Sequence, residues 1–389
     1  MSFFTSISDS LKSWRGAYRF RSTPRAEKGV VFYSESRASA PHLCPLLDEL
    51  LSRGQSVHLL ASHHDDPMAN IDNPNLHTYI IGSGSARTWV FSTMDANVVV
   101  TTTPDLQTMQ LKRSNRNVFY IYVHHSLVST HMAYRPAAFD HFDAIMCSGP
   151  HHVRETRAAE KLDGLPPKTL VEHGYGRLDS LIANRGTVGD QSDDKADDYA
   201  GTILIAPSWG DNSILQTHGR QLVGSLIDAG YRVIVRPHPQ TTREHPELIS
   251  EMAVNYKDNS AFTLDYDPTN ESSMGIADLM ISDWSGVALE FAYGFEKPVL
   301  FVDLPRKVNN PAYGDLDIDP FEVLIRDEIG EILPLDRIGD IADRASSLIT
   351  STPGRVGILR ASYSNRVFNI GNSHVIGADF IQKMTNRPN

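Results

Sequence analysis

Residues 277–303 read ADLMISDWSGVALEFAYGFEKPVLFVD, and this stretch decides the fold. An apolar run, residues 279–281, leads into a polar turn, Ser282 to Gly286. A helical pattern and a second apolar run, residues 298–302, follow the turn. This succession predicts one βαβ unit of a parallel sheet. Ligands of such sheets bind beyond the carboxyl ends of the strands, where a helix N-terminus offers unpaired N–H groups to a phosphate. The turn is therefore predicted to bind an anion.

The same alternation of short apolar runs and amphipathic patterns extends over most of the chain. It is interrupted by an acidic stretch with five Asp between residues 190 and 198, whose composition cannot form a packed core. We therefore predict an α/β chain of two doubly wound, Rossmann-like domains that face a cleft. The predicted N-terminal domain covers residues 29–184, the linker 185–200 and the C-terminal domain 201–389, whose last helices are candidates to pack back on the first domain.

The totals agree with this organisation and exclude several classes of protein. A length of 389 residues fits two domains at roughly 150 residues each. The net charge of −11 argues against a nucleic-acid binder, which requires clustered Lys and Arg. Two cysteines are too few for a disulfide framework and are typical of a reducing compartment. With no apolar run of about 18 residues and no signal-peptide pattern, we predict a cytoplasmic protein.

The first 28 residues differ from the rest of the chain. They contain six basic residues against two acidic ones, and aromatic residues recur among them near helical spacing. This pattern predicts an amphipathic helix that lies on a membrane surface. The alternative is a helix that packs on its own domain.

A predicted strand of the second domain ends in Arg236-Pro237-His238-Pro239. Arg presents a fixed fork of donors that matches phosphate oxygens, and His adds a donor or acts as a general acid. Together with the turn, Arg236 and His238 are predicted to face a phosphate. In the alternative, Arg236 pairs with a surface carboxylate and His238 caps a loop.

In the first domain, the predicted strand at residues 118–123 runs into His124 and His125. His124 is the candidate general base, because the pKa of a histidine lies near neutrality. A metal site is not predicted, since adjacent histidines in an extended chain point to opposite sides and no carboxylate or Cys follows at a ligand spacing. The other two histidine pairs are assigned to the surface: His63, His64, His151 and His152.

Two further residues belong with the predicted anion site. Ser208 follows the first strand of the second domain, where the first turn of a nucleotide-binding half touches its ligand. Glu290 lies on the helix after the turn and could reach a ribose hydroxyl. The alternatives are a loop that merely packs through Trp209 and a solvated Glu290.

Taken in order, YVHHS, GYGRLD, ILIAPSWGD, VIVRPHP and residues 277–303 resemble the CDP-glycerol glycerophosphotransferase family, the teichoic acid primases and polymerases of bacterial envelopes. The resemblance extends over about residues 118–303. It implies a GT-B fold in which the second domain holds CDP-glycerol or a related CDP-alditol, with no further cofactor and no metal. It also implies a lipid-linked glycan or polymer as acceptor, and peripheral attachment to the inner face of the membrane.

The resemblance also implies residue roles. His124 would deprotonate the acceptor hydroxyl, whose oxygen attacks the phosphorus that bears the glycerol, and CMP leaves. His238 and Arg236 would stabilise charge on the transferred phosphate and the departing CMP. The residues that would hold the phosphates of the donor are Ser282, Asp283, Ser285 and Gly286.

Departures from the family pattern leave the donor and acceptor open. The chain has His125 and Gly286 where the family commonly has Gly and Ser, and Gly176 and Trp284 where Pro and Tyr are usual. Synthesis of a capsule or another surface glycan therefore stays an alternative to wall teichoic acid. The competing activities are a GT-B glycosyltransferase that uses a nucleotide sugar and a nucleotide-sugar 2-epimerase. A catalytically silent GT-B module that binds glycan or nucleotide is the alternative from outside the enzymes.

Overall fold

The computed structural model describes residues 2–188, 199–267 and 269–387, and of residues 2–9 it describes the backbone alone. Most of the predicted acidic linker lies outside these described residues. The chain forms two compact units. The first unit comprises Met1–His125, Tyr134–Arg177 and Val367–Asn389, and the second comprises Ser126–Ala133 and Leu178–Arg366.

The first unit is built on a sheet of parallel strands in the order β3-β2-β1-β4-β5-β6-β7. The inner strands are almost wholly buried, whereas the edge strands β3 and β7 are partly exposed, as expected when helices cover both faces of a sheet. The strands are β1 (Val30–Ser34), β2 (Val57–Ala61), β3 (Leu76–Ile80), β4 (Val98–Thr101), β5 (Phe119–Val123), β6 (Ala144–Cys147) and β7 (Thr169–Glu172).

The second unit repeats the design with parallel strands in the order β10-β9-β8-β11-β12-β13. In each sheet the order reverses beside the first strand, between β1 and β4 and between β8 and β11. The strands are β8 (Thr202–Ile205), β9 (Arg232–Val235), β10 (Phe262–Leu264), β11 (Leu279–Ser282), β12 (Val299–Asp303) and β13 (Gly330–Pro334).

Helices connect these strands. They are α1 (Ser2–Ser22), α2 (Ala40–Ser52), α3 (Ser85–Ser92), α4 (Thr130–Ala133), α5 (Pro150–Leu162), α6 (Gly176–Val188), α7 (Ile214–Asp228), α8 (Pro239–Glu244), α9 (Pro246–Asn255), α10 (Glu271–Ile276), α11 (Val287–Phe295), α12 (Phe321–Ile329), α13 (Ile341–Arg366) and α14 (Ser373–Thr385). Short 3-10 turns lie at Arg25–Glu27, Arg37–Ser39, Pro67–Asn70, Tyr313–Leu316 and Leu335–Asp340.

Strand β1 shows how the sequence builds a core on each side of the first sheet. Val31 and Tyr33 enter one apolar cluster, and Val30 and Phe32 enter the other, because successive side chains of a strand point to opposite faces. Helices α2 and α14 pack on each other and on the second cluster. The α/β class with two doubly wound units is thus confirmed.

The sequence pattern missed two edge strands. Strand β7 is short and partly exposed, so it lacks a continuous apolar run. Strand β13 begins with Gly330 and ends with Pro334, which the pattern reads as loop residues. Gly330 is required there, because a Cβ atom would collide with the backbone carbonyl of Val299 on β12.

Helix α1 packs on β3 and α3 of its own unit. Ala17 and Phe20 are buried, and Gly16 lies so close to the backbone of Ile80 that a Cβ atom would not fit. Its opposite face leaves Leu11 67% and Tyr18 62% exposed. The predicted amphipathic membrane contact stays a prediction. Within the part of the chain that is described, no helix combines the length and the apolar character needed to cross a membrane.

Candidate active site

The carboxyl edge of the second sheet brings two predicted segments together. Strands β8 and β11 are hydrogen-bonded neighbours at the point where the strand order reverses. The loop after β8, which contains Ser208, therefore lies beside the turn Ser282 to Gly286. This edge is where open parallel sheets bind their ligands.

Asp283 joins these segments. Its carboxylate accepts the backbone N–H groups of Ser208 at 2.6 Å and Trp284 at 2.6 Å through Oδ1, and that of Ile214 at 3.1 Å through Oδ2. The side chain is 1% exposed. Asp283 therefore holds the β8 loop and the N-terminus of α7 against the turn. These contacts use the carboxylate internally, and a direct contact of Asp283 with a ligand stays a prediction.

Ser282 also supports the loop from within. Its Oγ donates to the carbonyl of Ala206 at 2.7 Å, and the residue is fully buried. Ser208 is likewise buried and contributes its backbone N–H to Asp283. Ser282 and Ser208 thus give the turn its shape, and the phosphate contacts predicted for their side chains stay predictions.

The N-terminus of α11 begins directly after the turn, with Gly286 as its N-cap. In the described part of the chain, the backbone N–H groups of Ser285, Gly286 and Val287 donate no hydrogen bond. Open donors at the first turn of a helix, together with the positive end of its dipole, favour an anion. Glu290 lies in the first turn of the same helix and is half-buried. Its ribose contact stays a prediction.

A short segment covers this helix end. We call Ser126–Ala133 the arm, since it belongs to the second unit although it directly follows His125. A Cβ atom on Gly286 would collide with the hydroxyl of Ser126 and lie 3.4 Å from Val128. Gly286 thus permits the arm to approach the open N–H groups, and Ser126 places a hydroxyl beside them.

Three side chains anchor the arm to the second unit. The buried carboxylate of Glu322 on α12 accepts the N–H of Ser129 at 2.7 Å and its Oγ at 2.9 Å. His131 Nε2 donates to the carbonyl of Ile318 at 2.9 Å. Asn309 Nδ2 donates to the carbonyl of Ala133 at 2.7 Å. The position of the arm is therefore set by α12 and by the loop before it.

Arg236 is engaged in a buried ion pair at the end of β9. Its Nε and Nη2 donate to Asp265 at 3.0 and 2.8 Å, and Nη2 also donates to the carbonyl of Asn270. Arg236 and Asp265 are both buried. The partner predicted in the alternative was a surface carboxylate, whereas the actual partner is internal. Two guanidinium donors are thus committed to Asp265, and a phosphate contact for Arg236 stays a prediction.

His238 caps α8, because its Nδ1 accepts the backbone N–H of Gln240 at 3.1 Å. Burial, and after it the charge of Lys307, lowers the pKa of His238 to about 4. The ring is therefore neutral at pH 7, with its proton on Nε2. At neutral pH the ring therefore offers an uncharged N–H donor. The charged donor that the sequence analysis considered for His238 is not present at that pH.

Lys307 is a cation that sequence reasoning did not include. Its Nζ lies 3.8 Å from the centroid of the Trp209 ring, and Trp209 is 6.1 Å from the ring of His238. Burial lowers the pKa of Lys307 to about 8, opposed by the charges of Asp283 and Glu244. Lys307 belongs to a loop rich in Asn, Pro and Asp, and only proximity in the folded unit connects it with the turn.

Arg326 on α12 was also missed. Its guanidinium lies 4.0 Å from the ring centroid of Trp284 and 5.0 Å from that of Phe301, and Nη1 pairs with Asp303 at 3.2 Å. Within the described residues, its Nε and Nη2 have no hydrogen-bond partner. Trp284 is fixed in turn by a bond from Nε1 to the carbonyl of Leu304 at 2.8 Å. No motif marks Arg326, which comes from a helix beyond all the predicted segments.

In the first unit, His124 lies at the carboxyl end of β5 and is 2% exposed. Its ring stacks on that of His152, with centroids 3.7 Å apart and an interplanar angle of 24°. Neither ring nitrogen of His124 has a hydrogen-bond partner among the described residues. Burial, followed by the neighbouring histidines, holds the pKa of His124 well below its ordinary value. The ring is neutral at pH 7 and able to accept a proton.

The assignment of His151 and His152 to the surface is wrong. They are 5% and 0% exposed, because the first turn of α5 points inward at the ring of His124. Hydropathy ranks histidine as polar and gave no signal for this. His63 and His64 are exposed, as predicted.

His125 is held by contacts within its own unit. Its Nδ1 lies 3.0 Å from both the Tyr122 hydroxyl and the carbonyl of Thr102, and burial lowers its pKa to about 4. His124 and His125 point to different surroundings, as expected for neighbours in an extended chain. In the described part of the chain, no group of three or more His, Cys, Asp or Glu side chains is arranged to hold a metal ion.

The chain is similar to known proteins both in sequence pattern and in structure. The family profile described as CDP-Glycerol:Poly(glycerophosphate) glycerophosphotransferase matches residues 18–306. No curated protein matches the chain in sequence. A soaked variant of the wall teichoic acid polymerase TagF is similar in structure, with a TM-score of 0.62 and 14% identity over 99% of this chain and 98% of that one.

Other solved structures share the fold. A putative UDP-N-acetylglucosamine 2-epimerase from Listeria monocytogenes has a TM-score of 0.57 and 12% identity, covering 92% of this chain and 97% of that one. WaaG, a glycosyltransferase of lipopolysaccharide biosynthesis, has a TM-score of 0.51 and 13% identity, covering 90% and 99%. At such identities the likeness shows the fold alone, and it confirms the predicted GT-B class.

Proposed function

Because the chain belongs to the CDP-glycerol:poly(glycerophosphate) glycerophosphotransferase family, we propose that its second unit binds CDP-glycerol and that an envelope polymer accepts the glycerol phosphate. The family reaction is the transfer of glycerol phosphate from CDP-glycerol. An acceptor oxygen forms a new bond to phosphorus, the bond from that phosphorus to the CMP oxygen breaks, and CMP leaves. Such a reaction depends on alignment and on preorganised charge.

The observation that carries the donor assignment is the open N-terminus of α11 at the strand-order reversal of the second sheet. Its three open N–H groups suit the oxygens of a diphosphate. Lys307 adds a cation near Asp283, and His238 adds a neutral Nε2–H donor. The side chains of Asp283 and Ser282 fix the shape of the turn through bonds to the backbone. The backbone N–H groups of Ser285 and Gly286 are the ones assigned to the donor phosphates.

His124 is assigned the role of general base. Its neutral ring and partnerless nitrogens leave it free to take the proton of the acceptor hydroxyl. Since both nitrogens are shielded from solvent here, the groups that cover the ring must move when the acceptor binds. The proton passes to solvent before the next turnover.

The acceptor is assigned by chemistry and by likeness of fold. The family description contains poly(glycerophosphate), and the similar TagF is a wall teichoic acid polymerase. We therefore assign a teichoic-acid-like, lipid-linked polymer with a terminal hydroxyl. A cytoplasmic enzyme that meets such a substrate works at the inner face of the cell membrane.

The outer face of α1 is the proposed membrane contact. It combines the exposed Leu11 and Tyr18 with the exposed cations Lys12, Arg15 and Arg19. Fewer cations are available than the sequence indicated. Arg21 and Arg25 pair with Asp95, and Lys28 is buried against the ring of Phe20.

The activity is tested by incubating the protein with a panel of CDP-alditols and nucleotide sugars and by measuring which nucleotide is released. We expect CMP from CDP-glycerol in the presence of a glycerol phosphate oligomer. Release of UDP or GDP without CMP would instead support the glycosyltransferase alternative. His124→Ala should abolish turnover while the dissociation constant for CDP-glycerol stays unchanged. Undiminished turnover would remove His124 from the role of base.

The membrane contact is tested by charge reversal rather than deletion, because α1 also packs on its own unit. Lys12→Glu with Arg15→Glu should weaken sedimentation with anionic vesicles by about tenfold or more, at about 1 kcal/mol for each basic residue near the surface. Arg220→Glu, on an exposed part of the second unit, is the matched control. Equal binding of both variants would exclude α1 as the contact.

A further inference from the structure

The stack of His124 on His152 has a geometry that defines the state of both rings. His152 lies in the first turn of α5 and is fully buried, and its ring lies 3.7 Å from that of His124 at an interplanar angle of 24°. The two residues come from different elements of the first unit, since His124 follows β5. This packing was not recognisable from the sequence.

A backbone hydrogen bond selects the tautomer of His152. The N–H of Ser148 donates to His152 Nδ1 at 3.2 Å, so the lone pair of Nδ1 is engaged and the neutral ring carries its proton on Nε2. Protonation of Nδ1 would break this bond and leave the N–H of the fully buried Ser148 without its acceptor. The Ser148 bond thus disfavours a proton on Nδ1 of His152.

His124 has no such bond. Its nitrogens lack hydrogen-bond partners among the described residues, so ring packing alone orients the side chain. Besides His152, the contacts are the edge of Tyr122 at 5.0 Å and the ring of Phe139 at 5.7 Å. A general base is commonly oriented by a carboxylate or a carbonyl on its second nitrogen. Here the flat face of His152 takes that place.

We infer that His152 is a positioning residue for the transfer reaction, which holds the ring of His124 in plane and remains neutral when His124 takes the acceptor proton. The inference rests on the proposed role of His124 as base. The titratable groups that face His124 are His152 and His151 from α5, His125 and Tyr122 beside β5, and His173 after β7. A second charge on His152 would oppose protonation of His124, so the neutral tautomer is the useful one.

The test measures CMP release from CDP-glycerol, with a glycerol phosphate oligomer as acceptor, in the full-length protein. His152→Leu removes the flat face and should lower kcat by about tenfold or more, with KM for CDP-glycerol unchanged. His152→Phe restores a flat ring and should recover most of kcat. The control is His63→Leu at an exposed position, which should match the parent protein.

The outcomes separate this inference from the proposed function. If His124→Ala is inactive but His152→Leu keeps the parent kcat, the positioning role is wrong while the base survives. Equal losses in His152→Leu and His152→Phe would also overturn it. Should either variant fail to fold, imidazole nitrogen NMR of the unaltered protein decides, because a proton on Nδ1 of His152 would contradict the inference. If His124→Ala is active, the proposed base itself fails.

Discussion

A carboxylate next to a turn that binds phosphate repels the ligand unless the negative charge is compensated. Three backbone N–H groups compensate the charge of Asp283. Asp283 thus holds together the segments of the proposed donor site. Asp283 therefore sets the shape of the turn, even if its side chain never touches CDP-glycerol.

Asp283→Asn should show this role. An amide has a single acceptor oxygen, and its NH2 group would face a backbone N–H, so at least one buried N–H would lose its partner. We expect a loss of about 2 kcal/mol in the free energy of unfolding and weaker binding of CDP-glycerol. Urea unfolding and calorimetric titration measure both. Asp258→Asn, at an exposed position, is the control. Weaker binding at undiminished stability would indicate a direct contact with the ligand instead.

At the scale of elements, the arm Ser126–Ala133 is held by contacts with the second unit. It directly follows His124 and His125 in the chain, yet Glu322 and Asn309 fasten it to the second unit. Its Ser126 lies on the N-terminus of α11, where the donor phosphates are assigned. The arm is thus fixed against the N-terminus of α11 within the second unit. Glu322 lies beyond residues 18–306, which the family profile matches.

Gly286→Ala should disturb this contact. The added methyl group would meet the hydroxyl of Ser126 and displace the arm, at a cost of about 1–3 kcal/mol. We expect weaker CDP-glycerol binding and faster hydrogen exchange in peptides that cover residues 126–133. Ser126→Ala removes the obstructing oxygen, so the double variant should recover much of the loss. Strict additivity of the two changes would show that the arm and the turn are not coupled as described.

For the whole molecule, the sequence predicted the buried strands well because each is a short apolar run that ends in polar residues. The strand-end rule also brought Ser208 and the turn to one edge, since β8 and β11 are neighbours. It could not tell which atoms face a ligand, because the side chains of Asp283 and Ser282 bond to backbone groups of the β8 loop and α7, which are distant in sequence. Lys307 and Arg326 were not predicted as site residues for a related reason, because only folding brings them close to the turn.

The first unit contains several histidines that folding keeps uncharged. Burial is the first cause in each case, and it lowers the pKa of His125 and His173 to about 4 and that of His42 and His124 further. In the unfolded chain a histidine has a pKa near 6.5. Between these values the unfolded state binds more protons than the folded state, so folding stability falls as the pH is lowered. The stability that the neutral histidines contribute is fully present above about pH 6.5.

This unit should therefore unfold in mild acid. From pH 6.5 to pH 5, a buried histidine such as His173 costs up to about 2 kcal/mol, at 1.36 kcal/mol for each pKa unit. Urea unfolding followed by the fluorescence of Trp14 and Trp89 should show a steep loss of stability between pH 7.5 and pH 5. His173→Gln should flatten that dependence, whereas His63→Gln at the surface should leave it unchanged. Equal slopes in the two variants would mean that His173 titrates normally in the folded protein, and that its burial does not keep it neutral.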